Sequence, residues 1–242
     1  MSTRFLILEL RRTLRSPRYL MFAVAFPVGL FLLFAALYGD GALMGTTARA
    51  YLMISMATFG AMGTSLSAGT RIAVDRQTGW NRLLRLTPLR PRWYVMTRFV
   101  SSLGTALPAL LLVFLAGRLL GVRMSGSQWG RVGLYFALAL VPFAVLSVAL
   151  GYLVTADSAP MINGASQMVL SLFGGVWVPV SQMPHLMLTV GKALPSFWLG
   201  VAARSPLTGE HLGVDGLAVL VGWTVVLAGF AARRYRRDAA RS

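Results

Sequence analysis

Apolar residues in this chain gather into long uninterrupted runs, and charged residues collect between them. Residues 19–38, 50–70, 99–117, 132–156, 160–180 and 216–232 contain no Asp, Glu, Lys or Arg. A helix needs roughly 20 apolar residues to cross the hydrocarbon of a bilayer. Strand-like alternation is missing from these runs, so only helices can satisfy their backbones internally in lipid. The pattern predicts an all-α integral membrane protein with six transmembrane helices. The first run is too long for a signal peptide, and no small-residue cleavage site follows it. Pro27, Pro108 and Pro142 fall inside runs and predict kinks.

A further stretch, 184–201, is also fairly apolar. A span there would bury Lys192, at about 2.5–3.5 kcal/mol on insertion scales, and Pro195 would interrupt it. The outer segment 181–211, between spans five and six, is therefore expected to hold short re-entrant or interfacial helices.

Composition agrees with the pattern. Of 242 residues, 56% are hydrophobic and only 12% charged, against about 25% charged in soluble domains. The whole chain, 1–242, is expected to form one transmembrane domain. The net charge of +16 would suggest nucleic acid in a soluble protein, but here the basic residues lie between oily runs and anchor loops at a membrane face. Their distribution sets orientation. The N-terminal segment carries five, the segment after the second run seven and the C-terminal tail five. The other side carries six in all: Arg49, Arg118, Arg123, Arg131, Lys192 and Arg204. The positive-inside rule then puts both termini in the cytoplasm. Cysteine is absent, which excludes disulfides and thiolate metal sites.

No charge sits at the centre of any run, which argues against an ion-coupled carrier. The second run places Ala57, Ala61, Thr64 and Ala68 at helical spacing, with Gly60 and Gly63 beside them. Small residues allow close helix approach, within one bundle or between subunits. The fifth run carries Asn163, Ser166, Gln167 and Ser171 along one helical face, then Gly174, Gly175 and Pro179. That polar face either lines a pathway or bonds neighbouring helices.

Segment 71–98 combines seven arginines with apolar positions. Read as a helix from Gln77 to Thr87, it stacks Trp80, Leu83, Leu84 and Thr87 on one stripe, with Arg82 and Arg85 opposite. Pro88 stops the helix and Pro91 stiffens the exit. Trp93 and Tyr94 then suit the headgroup level. An amphipathic helix along the cytoplasmic face would meet anionic lipid or dock a soluble partner.

The stretch DRQTGWNRLLRLTPL, Asp75 to Leu89, resembles the cytoplasmic signature of the ABC type-2 permeases. A second stretch, Gly174 to Pro195, is similar to that family's outer segment after the fifth span. Asp75 stands where glutamate is usual, and Gln77 replaces a second acid. The resemblance implies a bacterial plasma-membrane half-transporter that pairs with a second copy or a paralogue. Separate ABC ATPase subunits would drive it. It implies a coupling role for Asp75, Arg76, Gly79, Trp80, Leu83, Leu84, Thr87 and Pro88, and an N-terminal interfacial helix over 3–15. Export is implied by the family, and an apolar bundle suits a lipophilic drug, antibiotic or lipid. Independently, a P-loop requires G-x-x-x-x-G-K-[ST]. At the one Gly-Lys pair, Gly191-Lys192, Leu186 takes the place of the first Gly and Ala193 follows the Lys. ATP would thus be bound by the partner, and no cofactor by this chain.

Two other function classes compete. An intramembrane enzyme would draw on His185, His211 and Glu210, but neither H-E-x-x-H nor G-x-S-x-G occurs. A non-transporting scaffold or sensor subunit would show the same spans and the same basic loop.

Overall fold

The structure is a computed structural model that describes residues 11, 15–17, 21, 25–39, 41–43, 45–79 and 91–241, with backbone alone at 91–98 and 235–241. The expected interfacial helix over 3–15 therefore lies almost wholly outside the described residues.

The described chain is helical apart from one short hairpin. Helix α1, Phe26–Tyr38, starts with Pro27 in its first turn, where a missing N–H costs nothing, and ends at Gly39. Strands β1, Ala42–Leu43, and β2, Thr46–Thr47, pair antiparallel, with Ala42 opposite Thr47. Helix α2, Ala48–Gln77, begins at once: the Thr47 hydroxyl accepts the Ala50 N–H at 3.3 Å. Helix α3 spans Pro91–Leu119. Helix α4, Gly126–Ala139, opens with a capping box in which the Ser125 and Gln128 side chains each bond the other's backbone N–H. Helices α5, Val141–Leu153, and α6, Ala159–Phe173, follow. A single 3₁₀ turn at Val180–Gln182 leads to α7, His185–Lys192, α8, Pro195–Thr208, and α9, Gly213–Arg241.

Three stretches are long and apolar enough to cross a membrane: Phe99–Leu119 of α3, Gly126–Leu153 across α4 and α5, and Gly213–Arg234 of α9. A fourth is added if α7 and α8 count as one broken span. The second run, although it forms the longest described helix, is not among them. Its surroundings explain why. Helix α2 touches α1, α3, α5, α6 and α8 and is buried around its circumference. A helix that faces protein on every side needs small and hydroxyl side chains more than lipid-soluble ones. Buried Thr58 and Thr64 satisfy their hydroxyls on the Ile54 and Ala61 carbonyls of their own helix.

The small residues set the helix spacing. A Cβ on Gly69 of α2 would collide with the Ser147 carbonyl of α5, and one on Gly151 of α5 would lie 2.7 Å from Ile72 Cβ. A Cβ on Gly117 of α3 would strike the Met53 thioether, and one on Gly63 the Gln167 amide of α6. These close approaches maximise dispersion contact, which drives helix association where water expulsion does not.

Several expected boundaries shift. The run 132–156 is broken at Leu140, and Pro142 sits in the first turn of α5, where it lacks the N–H needed to continue α4. The run 160–180 is helical only to Phe173: the Gly174 N–H still donates to the Leu170 carbonyl at 2.9 Å, and Gly175 then turns to φ 68°. The expected loop 71–98 is shorter: α2 continues to Gln77, and Pro91 opens α3. A new helix does not begin at Gln77, since Gly79 at φ 72° terminates α2 in the left-handed region.

Segment 184–201 forms two short helices, as its Lys192 and Pro195 suggest. Helices α7 and α8 meet at 89°. Helix ends leave carbonyls without intrahelical partners, and two indoles satisfy them at this corner. Trp198 Nε1 donates to the Lys192 carbonyl at 2.7 Å, and Trp223 Nε1 of α9 to the Ala193 carbonyl at 2.8 Å.

Candidate functional site

Three of the eight expected coupling residues are described, and they lie at the C-terminal end of α2 or just past it. Asp75 and Arg76 are part-buried, and Gly79 forms the helix terminus. Trp80, Leu83, Leu84, Thr87 and Pro88 lie outside the described residues. Arg76 Nη1 donates to the Gly151 carbonyl of α5 at 3.1 Å, and its guanidinium lies 5.4 Å from the centroid of the Tyr152 ring. At the opposite end of α2, Arg49 Nη1 donates to the Leu120 carbonyl, just past α3, at 2.9 Å. Each arginine meets carbonyls at the C-terminal end of a neighbouring helix, where the helix dipole favours a cation. Helix α2 is thus pinned at both ends, beside α5 at one and α3 at the other. Thirty residues give it a length of about 45 Å. No proline interrupts it, so it is one continuous helix from Ala48 to Gln77.

The polar face of α6 turns towards α2. Asn163 Nδ2 donates to Thr70 Oγ1 at 2.7 Å, and Gln167 Nε2 donates to the Phe59 carbonyl at 3.2 Å. Asn163 and Ser171 are buried, while Ser166 and Gln167 are half-buried. Asn163 Oδ1 and Ser171 Oγ have no hydrogen-bond partner. The apolar positions Met161, Met168, Val169 and Leu172 face outward.

Sequence reading missed the most unusual group. Arg204, assigned by its position to an outer loop, lies on α8 and is only 1% exposed. Its guanidinium folds back over Gly200, where a Cβ would stand 2.9 Å from both Nη atoms. It sits 4.7 Å from the centroid of the Tyr51 ring of α2. Neither Nη atom has a hydrogen-bond partner. An unpaired buried charge costs several kcal/mol, and a desolvated cation–π contact returns about 2 kcal/mol. The contact with Tyr51 therefore offsets only part of the cost.

More unpartnered polar groups lie on the helices that meet here. The Tyr51 hydroxyl reaches the Gly175 carbonyl at 3.5 Å. Gly174, beside it, packs on Ser196, two helical turns before Arg204 on α8, and Ser171 precedes Gly174 by one turn. Ser55 lies one turn along α2 from Tyr51. The hydroxyls of Ser55, Ser171 and Ser196 are all fully buried and all without partners. Only the apolar run 195–203 leading into Arg204 hints at this burial in the sequence.

Of the residues weighed for an enzymatic reading, Glu210 and His211 are chain neighbours between α8 and α9, and His185 lies on α7. His185 opens α7 and His211 precedes α9, both exposed. Among the described residues, no three His, Asp or Glu side chains gather where they could hold a metal ion.

Comparison with known proteins accords with the long helices and the central rod. The chain is similar to a Bacillus subtilis (strain 168) protein named "Putative transport permease YvfS". The two are 25% identical over 222 residues, which cover 91% of each. The family model described as ABC-2 type transporter matches residues 5–207, from before the first span through the buried arginine. With most of its length matched, this chain belongs to the ABC-2 type transporter family and is a multi-pass membrane subunit of a transporter.

Proposed function

We propose that this chain is the permease half of an ATP-driven exporter, carrying a lipophilic compound such as a drug, antibiotic or lipid out of the cytoplasm or the inner leaflet. Six spans would place both termini in the cytoplasm of a bacterial plasma membrane, as the arginine distribution favours. A separate ABC ATPase would supply the energy, and a second copy or a paralogue would complete the membrane unit.

One observation carries the reading. The segment expected to meet the ATPase, Asp75 to Pro88, continues directly from α2, whose last turn is clamped to α5 by Arg76. Closure of an ATPase pair on ATP would pull on this segment. Because α2 packs against five other helices, the pull would be shared among them. The bundle would then be biased between inward-facing and outward-facing arrangements, as a two-state device requires. Trp80, Leu83 and Leu84, which helical spacing in the sequence would put on one stripe, would supply apolar surface for the docking.

The test is the double variant Leu83→Asp with Leu84→Asp. It is expected to lose co-purification of the ATPase and substrate-stimulated ATP hydrolysis while the helical content of the membrane subunit is kept. An ATPase that still co-purifies, with transport unchanged, would overturn the assignment. Substrate-stimulated hydrolysis in the wild-type pair also separates a transporter from a passive scaffold.

A further inference from the structure

We infer that Arg204 is the cationic centre of a buried anion-binding site, which receives the carboxylate or phosphate of an amphiphilic cargo. The inference rests on the export reading above and narrows its cargo from any lipophile to one that carries an acidic group.

The argument begins with what Arg204 lacks. A planar guanidinium presents five donors suited to a carboxylate or a phosphate. Here both Nη atoms are enclosed without an acceptor, and the residue is 1% exposed. The chain offers it an aromatic face, Tyr51, on one side and a bare glycine, Gly200, beneath it. That arrangement holds a cation in place but leaves its hydrogen bonds unused. The helices that carry these groups hold further buried hydroxyls without partners, Ser55 on α2, Ser171 on α6 and Ser196 on α8, each able to donate to an anionic oxygen. An ionisable group enclosed by the helices of a membrane protein is by default a candidate for a substrate or ion route.

The position suits a site that opens only in transport. Arg204 is carried by α8, and Tyr51 and Ser55 by α2, the rod that continues into the coupling segment. The third wall is the glycine corner Gly174-Gly175, between α6 and the bent pair α7 and α8. In the arrangement seen here the three walls are packed together. Sliding α2 against α8 would part Tyr51 from Arg204 and expose the free donors to an incoming acid.

A structural arginine and a binding arginine predict opposite things of Arg204→Met. If the guanidinium held the fold together, the variant would melt earlier. Since its donors are unused, removing the charge should leave the melting temperature unchanged or raise it, while recognition of the acid is lost. Arg204→Lys keeps the charge without the fork and should keep part of the preference.

The experiment uses the permease reconstituted with its ATPase in proteoliposomes. Three fluorophore-tagged probes of equal chain length are compared: a dodecanoate, its methyl ester and the matching dodecylphosphate. Expected for the wild type is ATP-dependent movement of dodecanoate or dodecylphosphate at about ten times the rate of the ester or more, the scale of a charge-assisted hydrogen bond. The ratio between the two acids tells carboxylate from phosphate cargo. Arg204→Met should bring the ratio of acid to ester to one without loss of thermal stability. Equal wild-type rates for acids and ester, or an acid preference untouched in Arg204→Met, would overturn the anion site and leave lipophilic export standing. Early melting of both Arg204→Met and Arg204→Lys would assign Arg204 to the scaffold and overturn the site. Absence of ATP-dependent movement of all three probes would overturn the export reading itself.

Discussion

The Arg204 guanidinium of α8 rests 4.7 Å from the centroid of the Tyr51 ring of α2. This contact ties a helix of the bent pair α7 and α8 to α2. Tyr51→Phe keeps the ring face and loses only a 3.5 Å contact with the Gly175 carbonyl, so its stability should change by no more than about 1 kcal/mol. Tyr51→Ala removes a ring that is only 2% exposed and should cost about 3–5 kcal/mol. Thermal melts of the detergent-solubilised chain would check both. Equal melting of the two variants would show that the ring does not brace the arginine.

Crossing of α2 and α5 depends on two glycines that face each other. Gly151→Val would drive a branched side chain into Ile72 and the Gly69 carbonyl. Overpacking of this kind costs about 1–3 kcal/mol or more. Gly164 on α6 has nothing within 4 Å of a built Cβ, so Gly164→Ala should be nearly neutral. The pair of variants, compared by melting temperature, separates a close-packed glycine from an exposed one on a helix of the same bundle.

Asn163 and Gln167 bind α6 to α2 through Thr70 and the Phe59 carbonyl. Interhelical hydrogen bonds in membranes average about 0.6 kcal/mol. A double-mutant cycle of Asn163→Ala with Thr70→Ala should therefore show coupling near that value. If transport fell much further than stability in Asn163→Ala, the polar face would be part of the pathway as well as a packing seam.

Orientation can be read directly, because the natural chain has no cysteine to remove. Ser127, exposed at the start of α4, and Asp157, exposed in the turn before α6, lie on opposite sides in the proposed topology. Ser127→Cys should react with a membrane-impermeant maleimide on intact cells, and Asp157→Cys only after permeabilisation. The reverse pattern would invert the protein and move the coupling segment outside.

Much of the architecture was legible because lipid solubility and helix-ending chemistry are local properties. Runs without charge located the long helices of α3, α4 with α5, and α9, and Lys192 and Pro195 announced the break between α7 and α8. The family signature lies around Gly79, which the helix read over Gln77 to Thr87 put in its interior and which the structure places just past the end of α2 at φ 72°. The coupling roles of Trp80, Leu83 and Leu84 stay with the sequence, since those positions lie outside the described residues.

What the tertiary structure decided is which side of each helix meets protein. Hydropathy ranks a segment by its average and cannot tell a lipid-facing leucine from a buried serine. The most enclosed helix, α2, consequently falls short of the most apolar ones, and Asn163 and Gln167 find partners that no spacing rule names. Arg204 shows the limit most clearly. Along the chain it is one more cation near a membrane surface; in the fold, α2 and α8 close around it, because Gly200 leaves room for a guanidinium and Tyr51 supplies a face to hold it. Whether a charge is solvated depends on neighbours distant in sequence, and packing alone brings those neighbours together.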